Sequence, residues 1–167
     1  MFNAKILADS TSFGVCDHTS RIITTQLTFP RCILAEFNTH KSIARNAASS
    51  RAIPISKMMK DVEDNPFIPI HWGKNQKGMQ ANEVLDDLEA SVCKGLWLQQ
   101  RNSALECVSM LSAQGLHKQI ANRLLEPWMW VTVIATGNMS AWNNFLALRA
   151  HKDAEPHMQK IAYMLKD

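Results

Sequence analysis

The stretch THKSIARNAASSRAIP, residues 39–54, sets Lys41, Arg45 and Arg51 beside His40, Asn46 and the serines at 42, 49 and 50. Ile43 is its only large apolar side chain before Ile53. Such a segment adds little to a core, so its density of donors raises the question of an anion or a polar ligand. His40, Lys41, Ser49 and Arg51 suit phosphate oxygens, and an arginine offers a planar fork to two oxygens at once. From composition alone, a solvated loop whose cations keep the protein soluble is the simpler account. Small and polar, residues 42–52 are expected to be irregular.

The flanks place this segment in a mixed fold. Residues 4–8 (AKILA) and 21–29 (RIITTQLTF) read as strands, the second β-branched and ending at Pro30. Between them DSTSFGVCDHTS has the composition of a loop. RCILAEFNTHK predicts a short helix entered through proline, which delivers His40 and Lys41 to the polar segment. ISKMMKDVEDN predicts a helix stopped before Pro66, and NPFIPIHWGKNQKGM a loop.

From Gln80 to Gln114 runs the longest helical signal, with Leu85, Leu88, Val92, Leu96, Cys107 and Leu111 along one side and Gly115 as its stop. Such a helix either packs on a partner subunit or breaks near Gly95. LHKQIANRLLE predicts a helix ending at Pro127, WMWVTVIAT a strand, and GNMSAWNNFLALRA and AEPHMQKIAYMLK two further helices. Without a regular βαβ rhythm the class is α+β, with a mixed or antiparallel sheet and long helices.

The bulk numbers bound the function. With 167 residues, 46% of them hydrophobic, one compact domain over 1–167 is expected. A net charge of +3 is no polybasic tail, so nucleic-acid binding is disfavoured. The isolated cysteines 16, 32, 93 and 107 read as free thiols of a reducing compartment. Lys5 and Asp9 interrupt the first apolar run, so no signal peptide is read, and no stretch approaches the roughly 18 apolar residues of a membrane span. A cytoplasmic protein follows, in host cytoplasm if viral. His151 with Asp153 lacks a third ligand nearby, so no metal is expected.

Two more constellations matter: Asn122-Arg123 before Glu126-Pro127, and Asn138 to Arg149, where Asn138, Trp142, Phe145 and Arg149 share one side of a helix. Singly these read as a surface ion pair and an amphipathic helix with a cation at its C-terminal end. Together and in order they resemble the flavin-dependent thymidylate synthases. That family's pattern is R-H-R, two residues, then S-x-N-E-x-S-x-R-Y; His40, Asn46, Ser49 and Arg51 match it, with Lys41 conservative for the second arginine. Arg123 stands four residues before Pro127 as in the family, and VIATGN with NNFLALR supplies Asn138, Asn144 and Arg149. The resemblance spans about residues 20–165. Thr39, Ala44, Ala47, Ala52 and Ser140 depart from it, standing where the family has Arg, Ser, Glu, Tyr and Arg. HWGKNQKG (71–78) looks like a feature of phage-type relatives, and the family commonly extends further at the C-terminus, so a short form or a fragment is expected.

The resemblance implies reductive methylation of dUMP to dTMP, with methylenetetrahydrofolate as one-carbon donor and FAD reduced by NADPH. It implies Arg149 and Ser49 as catalytic, and Ser49, Arg51, Arg123 and Arg149 as nucleotide ligands. His40, Lys41, Asn46, Asn138 and Asn144 would line the flavin, in a homotetramer whose sites draw on several subunits. Two alternatives stay open: a homologue without turnover that binds a nucleotide or partner, and a flavoenzyme making a different 5-modified dUMP.

Overall fold

The computed structural model describes residues 1–13 and 19–166, the side chains of Phe13 and Thr19 excepted. Within it the chain forms two compact units, Met1–Ala48 with Val131–Asp167, and Ser49–Trp130.

The first unit is built on a four-stranded sheet in the order β1-β2-β4-β3. Its strands are β1 (Asn3–Phe13), β2 (Thr19–Pro30), β3 (Ala44–Ala47) and β4 (Trp130–Asn138). β1 pairs antiparallel with β2, and β3 with β4. Thr24 meets Thr136 at 2.9 Å and Thr28 meets Thr132 at 3.0 Å, so β2 and β4 also run in opposite senses. The expected loop at 9–20 is partly strand, because β1 and β2 extend their ladder through Ser12 and Ser20. Its centre, with Cys16, lies outside the described residues.

Period-two alternation makes one face of the sheet the core. Thr25, Leu27 and Phe29 of β2 and Val131, Val133 and Ala135 of β4 are buried. Helices α5 (Met139–Arg149) and α6 (Pro156–Lys166) supply Trp142, Phe145, Met158 and Ile161, all buried. After Pro30 comes a 3-10 turn, Arg31–Ile33, and then α1 (Leu34–Phe37). Phe37 lies 5.3 Å from Phe29 and 5.7 Å from Phe145 between ring centroids. The Trp142 indole donates to the Ile23 carbonyl at 3.2 Å, tying α5 to β2.

The second unit is helical: α2 (Ile55–Asp64), α3 (Asp87–Ala113) and α4 (Lys118–Ala121), the last running into a 3-10 turn, Asn122–Trp128. The helix expected to end at Pro127 is thus mostly 3-10, since a proline near its end cannot donate to an α-helical ladder. The two tryptophans expected in one strand are divided: Trp130 opens β4, while Trp128 closes the 3-10 turn. Met58, Val62, Val108, Leu125, Trp128 and Met129 form the core. Three indoles act as pins. Trp97 donates to Phe67 O, Trp130 to Asn65 O and Trp128 to Trp97 O, at 2.9, 3.0 and 3.1 Å.

α3 opens on a reciprocal capping box between Asp86 and Glu89. It spans 27 residues, about 40 Å at 1.5 Å per residue, without a break at Gly95. Gly115, at φ +79°, follows its C-cap as expected. The expected apolar side is not the buried one, however. Trp97, Ala104, Leu105 and Val108 face the core, while Leu88, Val92 and Leu96 are 76, 57 and 57% exposed. Cys32, Cys93 and Cys107 are free. Among the described residues no helix is long and apolar enough to cross a membrane.

Phe145 is fully buried and joins α1, α5 and the turn that follows α1. Phe145→Ala is expected to cost about 3–5 kcal/mol in urea denaturation, through lost transfer energy and a residual cavity. Substituting exposed Leu148 the same way should cost under about 1 kcal/mol.

Candidate functional site

The polar segment is more ordered than its composition suggests. Residues 44–47, expected to be irregular, form β3, because β4 offers an open edge beside them. Arg45 faces Ala135 and Asn46 faces Ile134, so Arg45 points to the covered side and Asn46 to the open one.

Arg45 is consumed within the chain, by three backbone carbonyls and the Asn38 side chain. Its Nε donates to Asn38 Oδ1 at 2.8 Å and its Nη2 to Asn38 O at 2.6 Å. Nη1 donates to His40 O at 2.8 Å and Ile43 O at 2.7 Å. Four hydrogen bonds thus fold residues 38–43 into a fixed turn around one guanidinium. The cation that looked available to a ligand is a structural one.

That turn presents His40, which is 7% exposed, with its ring edge-on to Phe145 at 4.9 Å. From the end of α5, Arg149 Nε donates to His40 Nε2 at 2.9 Å, and Arg149 Nη1 pairs with Glu36 Oε1 on α1. An acceptor Nε2 requires the neutral imidazole with its proton on Nδ1. Burial first, then the positive charges of Arg149 and Arg45, hold the His40 pKa below the ordinary value.

A cavity of about 280 Å³ opens here, lined by Thr39, His40, Lys41, Ser42, Asn144 and Arg149 over an apolar floor of Ile43, Ala141 and Leu148. Lys41, Ser42 and Asn144 are exposed donors among its lining residues. Gly137 admits the close approach of β4 to α5, since a Cβ there would stand 3.2 Å from the Trp142 indole nitrogen and 3.3 Å from Ala141 Cβ. Four of the residues expected in a site thus meet: His40, Lys41, Asn144 and Arg149. Asn46 and Asn138 stand outside the cavity lining. Asn138 Oδ1 accepts from Ala141 N at 2.9 Å as the N-cap of α5.

The remaining candidates belong to the second unit. Ser49 opens a turn in which Arg51 N donates to Ser49 Oγ at 3.3 Å and Ala52 N to Ser49 O at 3.0 Å. Three residues spaced by four clip this turn in place. Lys118 donates to Ala52 O at 3.2 Å, and Asn122 donates to Ser50 O and Ile53 O at 2.8 and 2.9 Å. Glu126 accepts from Ser50 Oγ at 3.2 Å. Arg51 and Arg123 are left exposed. Asn122 is fully buried, and its Oδ1 has no hydrogen-bond partner among the described residues. Sequence reasoning missed Glu36 and the structural part of Arg45. Only their partners' positions reveal them.

An antiparallel sheet with helices on one face, and a polar cavity where a helix end meets a turn, define an α+β protein. The sequence model of the thymidylate synthase complementing protein matches residues 5–167, and the chain belongs to that family. No curated protein sequence matches it. Its fold is similar to that of the UMP/dUMP methylase PolB from Streptomyces cacaoi bound with 5-Br UMP, with a TM-score of 0.75 at 14% identity, covering 99% of this chain and 87% of that one. The same enzyme bound with 5-Br dUMP gives 0.69 at 18% identity, covering 87% of this chain and 65% of that one. The flavin-dependent thymidylate synthase ThyX from Helicobacter pylori, complexed with FAD and dUMP, gives 0.61 at 15%, covering 87% of this chain and 66% of that one. In the last two comparisons the chain thus spans about two thirds of the matched protein's length.

Two outcomes are expected. Arg45→Ala frees four acceptors and should lower stability by roughly 2–4 kcal/mol in urea denaturation, with Arg45→Lys recovering little because an ammonium lacks the fork. Because His40 is held neutral in the folded chain, the unfolded chain takes up its proton first as pH falls. Stability should therefore decline as pH drops below about 6.5. His40→Gln should flatten that decline in denaturation midpoints taken between neutral and mildly acid pH.

Proposed function

We propose that this protein is a flavin-dependent enzyme acting on carbon 5 of dUMP. Within that class we assign the methylation of dUMP to dTMP, with methylenetetrahydrofolate as one-carbon donor and NADPH as reductant of FAD. Membership of the family over residues 5–167 supports the class. The observation that carries the reading is Arg149, a guanidinium fixed by His40 and Glu36 at the wall of a polar cavity.

The donor set fits a flavin. Lys41 supplies a cation, Ser42 and Asn144 supply neutral donors, and His40 supplies a neutral ring. His40, Lys41 and Asn144 would hold it, with Asn46 and Asn138 as further amides. When bound, the flavin supplies the hydride chemistry, and the protein orients the reactants and excludes water. Arg149 donates to a uracil carbonyl and so stabilises the negative charge that builds as C5 becomes nucleophilic. Ser49, Arg51 and Arg123 are assigned to the nucleotide phosphate, Arg51 and Arg123 as exposed cations and Ser49 as a hydroxyl donor.

The reading treats residues 1–167 as one functional domain that works as a homotetramer. Leu88, Val92 and Leu96, an exposed stripe at helical spacing, give α3 a reason to be covered by another copy. A second reading is a nucleotide-binding homologue without turnover. It rests on Thr39, Ala44, Ala47, Ala52 and Ser140, which replace polar or charged positions of the family pattern.

The deciding experiment is the visible spectrum of the purified protein with FAD, before and after dUMP. Uptake of FAD with a dUMP-dependent spectral change, followed by methyl transfer, is the expected result. Arg149→Ala should keep flavin uptake and lose roughly 100-fold or more in kcat. A protein that takes up no FAD belongs to the second reading, and an Arg149→Ala enzyme turning over at the parental rate removes the role given to Arg149.

A further inference from the structure

An arginine grips a phosphate with two donors at once, either Nε with Nη2 or Nη1 with Nη2. In Arg149 the first pair has lost a member and the second has one nitrogen already engaged. Nε is committed to His40 Nε2, and Nη1 to Glu36 Oε1. Nη2 makes no hydrogen bond among the described residues, so the donors left to a ligand are its two hydrogens and the second hydrogen of Nη1. Its charge is also compensated by the carboxylate that pins it.

Glu36 does not line the cavity, whereas Arg149 and His40 do. Whatever Glu36 contributes to a ligand therefore passes through Arg149. Its place is secured from α1: Phe37 beside it is fully buried, and the Glu36 carbonyl accepts from Thr39 Oγ1 at 2.7 Å and from Thr39 N at 3.0 Å. Arg149 and Glu36 are both mostly covered, with side chains 20 and 28% exposed, so water does not simply screen the pair.

We infer that Glu36 is a positioning residue that holds Arg149 as a charge-compensated donor, so that Arg149 takes a neutral carbonyl-bearing ring in preference to a phosphate. The inference rests on the nucleotide reading and deepens it. Arg149 reads the ring because Glu36 answers its charge. Arg51 and Arg123 are exposed and have no carboxylate ion pair among the described residues.

The test uses two probes that divide the ligand, deoxyuridine for the neutral ring and inorganic phosphate for the anion, with dUMP as reference. Calorimetric titration of the intact protein should show deoxyuridine binding that phosphate does not displace. In Glu36→Gln, deoxyuridine affinity should fall about tenfold as its donor loses orientation, and phosphate should become a competitor of deoxyuridine. KM for dUMP should rise with it. Glu36→Asp, which keeps the carboxylate, should restore phosphate rejection.

Phosphate displacing deoxyuridine equally from parent and Glu36→Gln would overturn the inference while leaving nucleotide binding intact. So would a Glu36→Gln protein that matches the parent, or one in which both probes weaken together and Glu36→Asp rescues neither, which is a purely structural role. A parent that binds neither dUMP nor deoxyuridine would overturn the nucleotide reading itself, and the inference with it.

Discussion

The Arg45 guanidinium governs the functional half of the first unit. A turn of six residues has no ladder of its own, and beyond the bond from Ile43 N to His40 O its carbonyls need donors from elsewhere. Arg45 supplies them from the first residues of β3, and β3 is held by pairing with β4. The turn sets His40, and His40 with Glu36 sets Arg149. The order of the site therefore flows from a strand edge through one side chain.

Cations that look alike in composition do three different things. Arg45 is spent on carbonyls, Arg149 is paired with a carboxylate, and Lys41, Arg51 and Arg123 are exposed to solvent. Burial and the nearest acceptor decide which role each takes. The same sorting holds for amides. Asn138 starts a helix, Asn122 is buried under the Ser49 turn, and Asn144 faces the cavity.

In the second unit aromatic residues replace a sheet as the organising element. Trp97, Trp128 and Trp130 each bury a large ring and spend the indole N–H on a carbonyl, two of them in the connection after α2. That pinning gives an irregular stretch a fixed path. It also leaves the amino-terminal part of α3 with its apolar stripe outward.

The sequence by itself determined most of the element types, the α+β class and the family. β-branched runs, prolines and a glycine stop are local signals, and the motif residues lie in register along the chain. It also named His40, Lys41, Asn144 and Arg149, which the fold gathers at one cavity. What it left open were the partners. Residues 44–47 are polar and short, and became a strand only because β4 has a free edge. Leu88, Val92 and Leu96 carry helical periodicity, yet the face that packs is that of Trp97 and Val108, because the position of the neighbouring helices selects it. Glu36 and Arg45 show no pattern at all. Their meaning is a distance to residues 113 and seven positions away, respectively, and only the tertiary structure sets it.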